Sequence, residues 1–256
     1  MELNNNYPSL TDKVVLITGG ATGIGACLVE AFCLQKSKVA FVDVQDKAAE
    51  TLIDRVQQLP NATKPIYFHC DLKNISQLQK TIETVKDQLG NIGVLINNAG
   101  DDSRHELLNT TEAYWDDRIN VNLRHIFFAI QAVQPQMCAL GGGSIVNFGS
   151  ISWYQKHENL PVYASAKAAI EGMTRGLARQ LGENNIRINT VVPGWVMTEK
   201  QIKYWVDDKK MEEIRKQQCL NSLLGPESIS AMTLFLASDD SRMCTAQSYI
   251  VDGGLI

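Results

Sequence analysis

Short apolar runs alternate with longer stretches of helical periodicity along almost the whole chain. The apolar runs predict strands at 14–18, 39–44, 66–70, 94–97, 144–148, 186–192 and 248–251. The stretches between them predict helices at 26–34, 46–59, 75–89, 111–138, 163–181, 208–218 and 226–237. Glycine and proline clusters, such as Pro193-Gly194, separate the two kinds of segment.

Most of these strands are continuous apolar runs rather than alternating ones, which is typical of parallel strands covered by helices on both faces. Repeated strand–helix units with short connections predict an α/β fold, a doubly wound, seven-stranded parallel Rossmann sheet. No linker or repeat interrupts residues 1–256, so we expect a single domain. Ligands of such a sheet bind beyond the carboxyl ends of its strands.

Composition excludes several classes of partner. The chain has 256 residues, of which 45% are hydrophobic, and a net charge of -4. A mildly acidic chain gains nothing from counterion release, so we expect no nucleic-acid partner. We also expect no membrane partner, because no basic block and no run of about 18–20 apolar residues is present. The first residues do not resemble a signal peptide and the six cysteines are scattered, which favours a cytoplasmic protein with free thiols.

The junction after the first strand reads TGGATGIG at 18–25. Glycines allow a tight turn close to a pyrophosphate, and the next helix offers free N–H groups at its positive end. The spacing differs from the common Gly-x-Gly-x-x-Gly, and the alternative is a glycine-rich turn without a ligand. The residues predicted to bind a dinucleotide here are Gly19, Thr22, Gly23 and Ile24.

Polar residues also follow the next three predicted strands. Asp43 can accept hydrogen bonds from the adenosine ribose and repel a 2′-phosphate, and no neighbour supplies a positive charge, so NAD is favoured over NADP. A helix-capping or solvated aspartate is the alternative. Asp71 with Leu72, and Asn98 in the run Asn-Asn-Ala-Gly, are the other predicted cofactor residues, although the run is also typical of a plain turn.

Tyr163 and Lys167 are four residues apart and share a helix face. A free phenol has a pKa of about 10. An adjacent ammonium and the positive charge of an oxidised nicotinamide would favour the phenolate, which could then take a hydroxyl proton near neutral pH. Taken alone, the pair is more often an ordinary surface pair.

These motifs, in this order, resemble those of the short-chain dehydrogenase/reductase family from about Val14 to Gly254. The resemblance implies that Lys167 also holds the nicotinamide ribose and that Ser150 hydrogen-bonds the reacting oxygen. It further implies that Asn122 holds a water linking Lys167 to solvent, with Asn120 as the alternative. Many members carry a serine where this chain has Gly149, which leaves Ser150 as the serine in register.

The stretch after the sixth predicted strand matches the family pattern Pro-Gly-x-Val-x-Thr. The resemblance adds Pro193, Val196 and Thr198 to the cofactor residues, with Thr198 bonding the nicotinamide carboxamide. Residues from 198 to about 222 then form a substrate lid. An ordinary amphipathic helical pair is the alternative.

The loops at 101–105 and 152–159 are unusually polar, which suits a polyhydroxylated ligand better than a steroid or acyl chain. Solvated loop polarity is the alternative. The predicted substrate residues are Asp101, Ser150, Ser152, Trp153, Tyr163 and Trp195. The four histidines lack ligand spacing, so no metal is expected.

Segments 98–105, 114–125 and 147–153 look like those of bacterial NAD-dependent aldose 1-dehydrogenases acting on D-xylose, arabinose or galactose. This finer resemblance implies oxidation of a cyclic sugar at its anomeric hydroxyl to a lactone, and the wider family implies a homotetramer. Another activity of the family is the first alternative, such as a 3-oxoacyl-carrier-protein reductase or a polyol or hydroxyacid dehydrogenase. A non-catalytic dinucleotide sensor is the second.

Overall fold

The computed structural model describes residues 5–256, and its strands form one seven-stranded sheet. The strands are β1 (Val14–Thr18), β2 (Lys38–Asp43), β3 (Ile66–His69), β4 (Val94–Asn97), β5 (Gly143–Phe148), β6 (Ile186–Pro193) and β7 (Ser248–Val251). Their order is β3-β2-β1-β4-β5-β6-β7 and every neighbouring pair is parallel. The predicted doubly wound Rossmann sheet is therefore confirmed.

Helices cover both faces of this sheet. They are α1 (Gly23–Leu34), α2 (Asp46–Gln57), α3 (Ile75–Leu89), α4 (Glu112–Ile119), α5 (His125–Ala139), α6 (Pro161–Gly182), α7 (Glu199–Tyr204), α8 (Asp208–Gln217) and α9 (Pro226–Ala237). Most bounds lie within a few residues of those predicted. Helix α1 starts at Gly23 rather than residue 26, because the extended Thr22 ends the loop before it.

The strand side chains divide between two apolar cores, one on each face. In β1 all five residues are buried: Val15 and Ile17 join the core that holds Leu28 of α1 and Leu234 of α9, and Leu16 joins the core that holds Ile126 of α5. A side-chain period of two on a sheet covered on both sides produces this division. The continuous apolar runs of the sequence have this origin.

One predicted helix is interrupted. The segment predicted as a single helix at 111–138 is α4 and α5 joined by a π-helical turn at Asn120–Arg124. At this junction the side-chain Nδ2 of Asn122 donates to the Arg118 carbonyl at 3.0 Å. Periodicity does not reveal such a turn, because the segments on either side of it each keep helical spacing.

Among the described residues, no helix combines the length and the apolar character needed to cross a membrane.

Candidate active site

A cleft of about 1120 Å³ lies beyond the carboxyl ends of the strands, where the order of the sheet reverses between β1 and β4. It brings together nearly all the residues predicted for cofactor, catalysis and substrate. Those that line it are Gly19, Thr22, Gly23, Ile24, Asp43, Asp71, Leu72, Asn98, Asp101, Ser150, Ser152, Tyr163, Lys167, Pro193, Trp195, Val196 and Thr198. Asn122 and Trp153 are the two that do not.

The glycine loop between β1 and α1 is shaped by close backbone approaches. A Cβ on Gly19, whose φ is 65°, would lie 2.8 Å from the Cα of Ala99. A Cβ on Gly25 would lie 1.8 Å from the carbonyl oxygen of Gly19. The Asn98 amide donates to the carbonyls of Thr18 and Gly19 at 3.0 and 2.9 Å, which ties this loop to the end of β4. The loop therefore presents bare backbone at the N-terminus of α1, as a pyrophosphate requires.

Asp43, buried at the end of β2, braces the same loop. Its Oδ2 accepts from the Ala21 N–H at 3.0 Å, and its Oδ1 accepts from the N–H groups of Val44 and Gln45 at 2.8 and 3.1 Å. A carboxylate has about four acceptor positions. The Gln45 Nε2 also donates to Oδ1, at 3.5 Å, so the free acceptor position is on Oδ2, whose partner is the Ala21 N–H. A ribose hydroxyl in the cleft can use that position.

The loop after β3 is organised by Asp71. Its Oδ1 accepts from the Lys73 N–H at 3.0 Å, and its own N–H donates to the Gln77 side chain at 3.2 Å. Leu72 is buried beside it. Thr198 closes the opposite wall, where its methyl group lies 3.4 Å from the position of a Cβ on Gly23. The residues predicted for the adenine and the nicotinamide therefore lie at separate parts of one cleft.

Tyr163 and Lys167 project from the first turns of α6 towards the end of β5. The Lys167 Nζ donates to the Phe148 carbonyl at 2.8 Å and lies 5.6 Å from the centre of the Tyr163 ring. The Ser150 hydroxyl, just past β5, accepts from the Ser152 N–H at 3.1 Å and lies close enough to the Tyr163 phenol to lower its pKa. The side chains predicted for proton transfer are thus in one cluster.

The two titratable groups of this cluster are shifted in opposite directions. Burial, helped by the charge of Asp102, raises the pKa of Tyr163, and the hydrogen bond from Ser150 opposes this. Burial lowers the pKa of Lys167 to about 8. In the protein alone, burial has the largest effect on Tyr163, and the Lys167 ammonium donates to the Phe148 carbonyl. That Lys167 and a bound oxidised nicotinamide together favour the phenolate stays a prediction.

Asn122 lies directly behind the cluster. Its Oδ1 accepts from the Asp101 N–H at 2.8 Å, and its Nδ2 donates to the Asp101 carbonyl at 3.2 Å. A Cβ on Gly100 would meet the Asn122 Oδ1 at 3.1 Å and the Lys167 Nζ at 3.2 Å, so both groups converge on this glycine. Asn122 is fully buried here, whereas Asn120 is half-buried.

The substrate predictions fare unevenly. The Asp101 carboxylate is already engaged by Arg118 at 2.6 Å and by the N–H and hydroxyl of Ser103 at 2.9 and 2.7 Å. The Trp195 indole donates to Gln201 Oε1 at 3.1 Å. The Ser152 hydroxyl is buried and, within the described residues, has no partner. The Asp101 carboxylate therefore already bonds groups of the protein, whereas the Ser152 hydroxyl is available to hydrogen-bond a substrate.

Trp153 was predicted wrongly as a cleft residue. Its ring lies on Tyr154, with centres 3.7 Å apart, and its indole donates to Glu171 Oε1 at 3.1 Å. Glu171 also accepts from the hydroxyls of Tyr154 and Ser248 at 3.0 and 2.8 Å. These bonds to α6 and β7 turn the indole away from the cleft, and nothing in the local sequence distinguishes that orientation.

Residues of the β4–α4 loop and of α7 complete the cleft in a way that sequence reasoning missed. Asp102 accepts from Lys200 Nζ at 2.7 Å and from Gln201 Nε2 at 2.8 Å, which connects the loop to α7. Burial raises the pKa of Asp102, but the bond and charge of Lys200 outweigh this and hold it below its ordinary value. Arg104 and His157 also line this end. The acidic pair at 101–102 was the available signal, but its partners lie far along the chain.

No three His, Cys, Asp or Glu side chains converge as metal ligands anywhere in residues 5–256.

A Rossmann sheet with a glycine loop and a Ser–Tyr–Lys cluster defines a dinucleotide-binding oxidoreductase. The family model described as enoyl-(acyl carrier protein) reductase matches residues 19–256. The chain is 48% identical to D-xylose 1-dehydrogenase of Caulobacter vibrioides over 248 residues, covering 97% of each chain. It is 42% identical to the probable galactose dehydrogenase GalD of Rhizobium meliloti over 252 residues, covering 98% of each chain.

Among solved structures, 7 alpha-hydroxysteroid dehydrogenase complexed with NADH and 7-oxo glycochenodeoxycholic acid matches with a TM-score of 0.91. The two chains are 28% identical, and the match covers 99% of this chain and 98% of that one. The chain belongs to the short-chain dehydrogenase/reductase family. The predicted family, fold and enzyme class are therefore confirmed.

Proposed function

We propose that the protein is an NAD-dependent sugar dehydrogenase that oxidises an aldose at its anomeric hydroxyl to the aldonolactone. The observation that carries this proposal is the polar wall beside Tyr163, where Asp102, Arg104, His157 and Gln201 line the cleft. Such groups bond hydroxyls, whereas a steroid or acyl chain needs a mostly apolar wall. The identities to proteins named as xylose and galactose dehydrogenases support the same substrate class.

Tyr163 is the proposed general base. Its phenolate takes the proton of the anomeric hydroxyl while Ser150 donates a hydrogen bond to that oxygen. Ser150 also lowers the pKa of the phenol, which favours the phenolate that the proposal requires. A bound oxidised nicotinamide would supply the hydride acceptor and a positive charge that would lower the pKa of Tyr163.

Lys167 and Asn122 are proposed to carry the proton onwards. The pKa of Lys167, lowered to about 8 by burial, suits proton exchange near neutral pH. Its ammonium group and the Asn122 side-chain oxygen both face Gly100, where a Cβ would lie 3.2 and 3.1 Å from them. The water of the proposed path would link these two groups. Lys167 also holds the nicotinamide ribose in this proposal.

The cofactor is proposed to be NAD. Gly19, Thr22, Gly23 and Ile24 would hold its pyrophosphate, and Asp43 its ribose. Asp71, Leu72 and Asn98 would line the adenosine half, and Pro193, Val196 and Thr198 the nicotinamide half. The close approaches at Gly19 and Gly25 fit a group that must lie against bare backbone. The buried carboxylate of Asp43 disfavours a 2′-phosphate at the same place.

We further propose that residues 1–256 act as a single domain with a lid at about 198–222, in the cytoplasm, as a homotetramer. Trp115 on α4 and Phe127 on α5 are each 44% exposed, which is unusual for large apolar side chains and suits contact with another copy. Light scattering on the purified protein should give four times the chain mass. A monomer mass would contradict the assembly without touching the reaction.

The reaction is tested by offering the purified protein NAD or NADP with a panel of aldoses, and following absorbance of the reduced cofactor. We expect turnover of at least one aldose with NAD, and release of a lactone that hydrolyses to the acid. A polyol panel and a 3-ketoacyl substrate with NADPH serve as matched controls. Turnover of a control substrate without turnover of any aldose would overturn the proposal.

A further inference from the structure

His105 lies in the β4–α4 loop, yet its ring reaches the catalytic helix. Its Nε2 lies 3.0 Å from the backbone nitrogen of Val162, 57 residues later and directly before Tyr163. Its Nδ1 lies 3.0 Å from the Ser103 carbonyl and 3.1 Å from the Tyr114 hydroxyl. Its backbone N–H donates to the Asn159 carbonyl at 2.9 Å. The ring and backbone of one residue therefore hold the entrance of α6.

These bonds settle the tautomer of the ring. The Val162 nitrogen is a donor, so Nε2 must accept and carry no proton. The imidazole is then neutral, with its proton on Nδ1 facing the Ser103 carbonyl. The Tyr114 ring packs against the His105 ring, with centres 4.9 Å apart. The Arg118 guanidinium in turn lies 5.4 Å from the centre of the Tyr114 ring. His105 is held in one orientation by α4 on one side and bonds α6 on the other.

The entrance of α6 needs such a partner. The first N–H groups of a helix have no partner within the helix, and a side chain before the helix normally accepts from one of them. Leu160, the residue before α6, provides no side-chain cap. Pro161 has no N–H, so the Val162 N–H is the first that needs an acceptor. His105 supplies from a distant loop the cap that the local sequence omits.

We propose that His105 is a positioning residue for Tyr163, a role that rests on Tyr163 being the base of the proposed reaction. The ring fixes the backbone of Val162 and, through Asn159, the chain that leads into α6. The next residue is Tyr163, so this anchor sets the distance between the phenol and Ser150. The β4–α4 loop then orients two members of the cluster, since Asp101 in the same loop holds Asn122.

The test uses two amides that each replace one ring nitrogen. In His105→Gln the longer side chain brings an oxygen to the Nε2 position and still accepts from Val162. In His105→Asn the shorter side chain reaches Ser103 and Tyr114 but not Val162. His105→Leu removes both. For each variant we would measure kcat, the KM of the alcohol substrate, the dissociation constant of NAD and the melting temperature.

We expect kcat of His105→Asn and His105→Leu to fall between about 10- and 100-fold, because a small displacement of a catalytic group has an effect of this size. His105→Gln should retain kcat within about threefold. The NAD dissociation constant should stay unchanged in all three. His105→Asn keeps the hydrogen bonds to Ser103 and Tyr114. The comparison of His105→Gln with His105→Asn therefore remains possible if His105→Leu does not fold.

Equal loss of kcat in His105→Gln and His105→Asn would overturn the proposal, as would wild-type kcat in a folded His105→Asn. A raised KM with unchanged kcat would also overturn it, since that result places His105 on the substrate. Turnover of the substrate panel by the wild type tests the aldose assignment independently of the variants. If the wild type oxidises a different alcohol, the aldose assignment fails and the same variants are compared on that alcohol.

Discussion

The two ends of the cleft are built in different ways. At the dinucleotide end the shape comes from backbone: glycines approach within van der Waals distance of Ala99 and of each other, and Asp43 bonds three main-chain N–H groups. At the substrate end it comes from side chains in loops, such as Asp102 with Lys200 and Gln201, 98 and 99 positions further along. The first end is local in sequence and the second is not.

This difference teaches which parts of the enzyme can change. A backbone cradle tolerates little alteration, because any added Cβ must displace main chain. Paired loop side chains can be exchanged without disturbing the sheet. One fold can therefore keep a constant cofactor end and vary its substrate, as the sugar and steroid names of the relatives illustrate.

The largest effect is expected at the cluster between the two ends. Tyr163→Phe removes the hydroxyl that takes the substrate proton and should lower kcat by about 10²–10⁴-fold, the usual contribution of a general base. NAD binding, measured by fluorescence titration, should remain within about twofold. Full turnover in the variant would remove Tyr163 from the mechanism.

The dinucleotide end, which is shaped by backbone, is tested by Gly25→Ala. Its new Cβ would overlap the Gly19 carbonyl, so main chain must shift, which should lower the free energy of unfolding by about 1–3 kcal/mol. NAD affinity should fall as the loop is displaced. Gly182→Ala is the matched control, because a Cβ there meets nothing within 4 Å. Thermal melting and NAD titration of both variants provide the check, and equal behaviour would contradict the backbone origin of this end.

The substrate end, which is shaped by paired loop side chains, is tested by Asp102→Asn. Losing a charge-assisted bond of about 1.5 kcal/mol to Lys200 should raise the aldose KM about tenfold without affecting NAD binding. The Asp102 charge raises the pKa of Tyr163, so its removal lowers that pKa. The rise of kcat/KM with pH should then move to lower pH. A profile that stays in place would show that Asp102 does not act on the base.

An effect of similar size is expected on cofactor choice. In Asp43→Ala the ribose loses an acceptor and a 2′-phosphate loses a repelling charge, so the preference for NAD over NADP should narrow about tenfold. The ratio of kcat/KM values for the two cofactors measures this. An unchanged ratio would assign selectivity to other residues of the glycine loop.

Sequence reasoning succeeded where structure follows from local rules. Strand and helix bounds came from apolar periodicity, and the residues directly after strands do line one cleft, although their contacts with a cofactor stay a prediction. It failed where the deciding contact is distant. Trp153 was assigned to the substrate although Glu171 and Tyr154 hold it elsewhere, and Asp102 was missed because its partners lie on α7. The raised pKa of Tyr163 in the protein alone was not visible in the sequence, because burial is a property of the whole fold.

The π-helical turn at Asn120–Arg124 predicts what a one-residue deletion at this point would do. A π turn is equivalent to one residue inserted into an α-helix. Deleting one codon there would restore a regular helix and rotate α5 by about 100° relative to α4. Asn122 would then lose the register that lets its side chain hold Asp101 by two hydrogen bonds. Under the proton path proposed for Asn122 and Lys167, such a deletion should lower kcat although the helix itself becomes continuous.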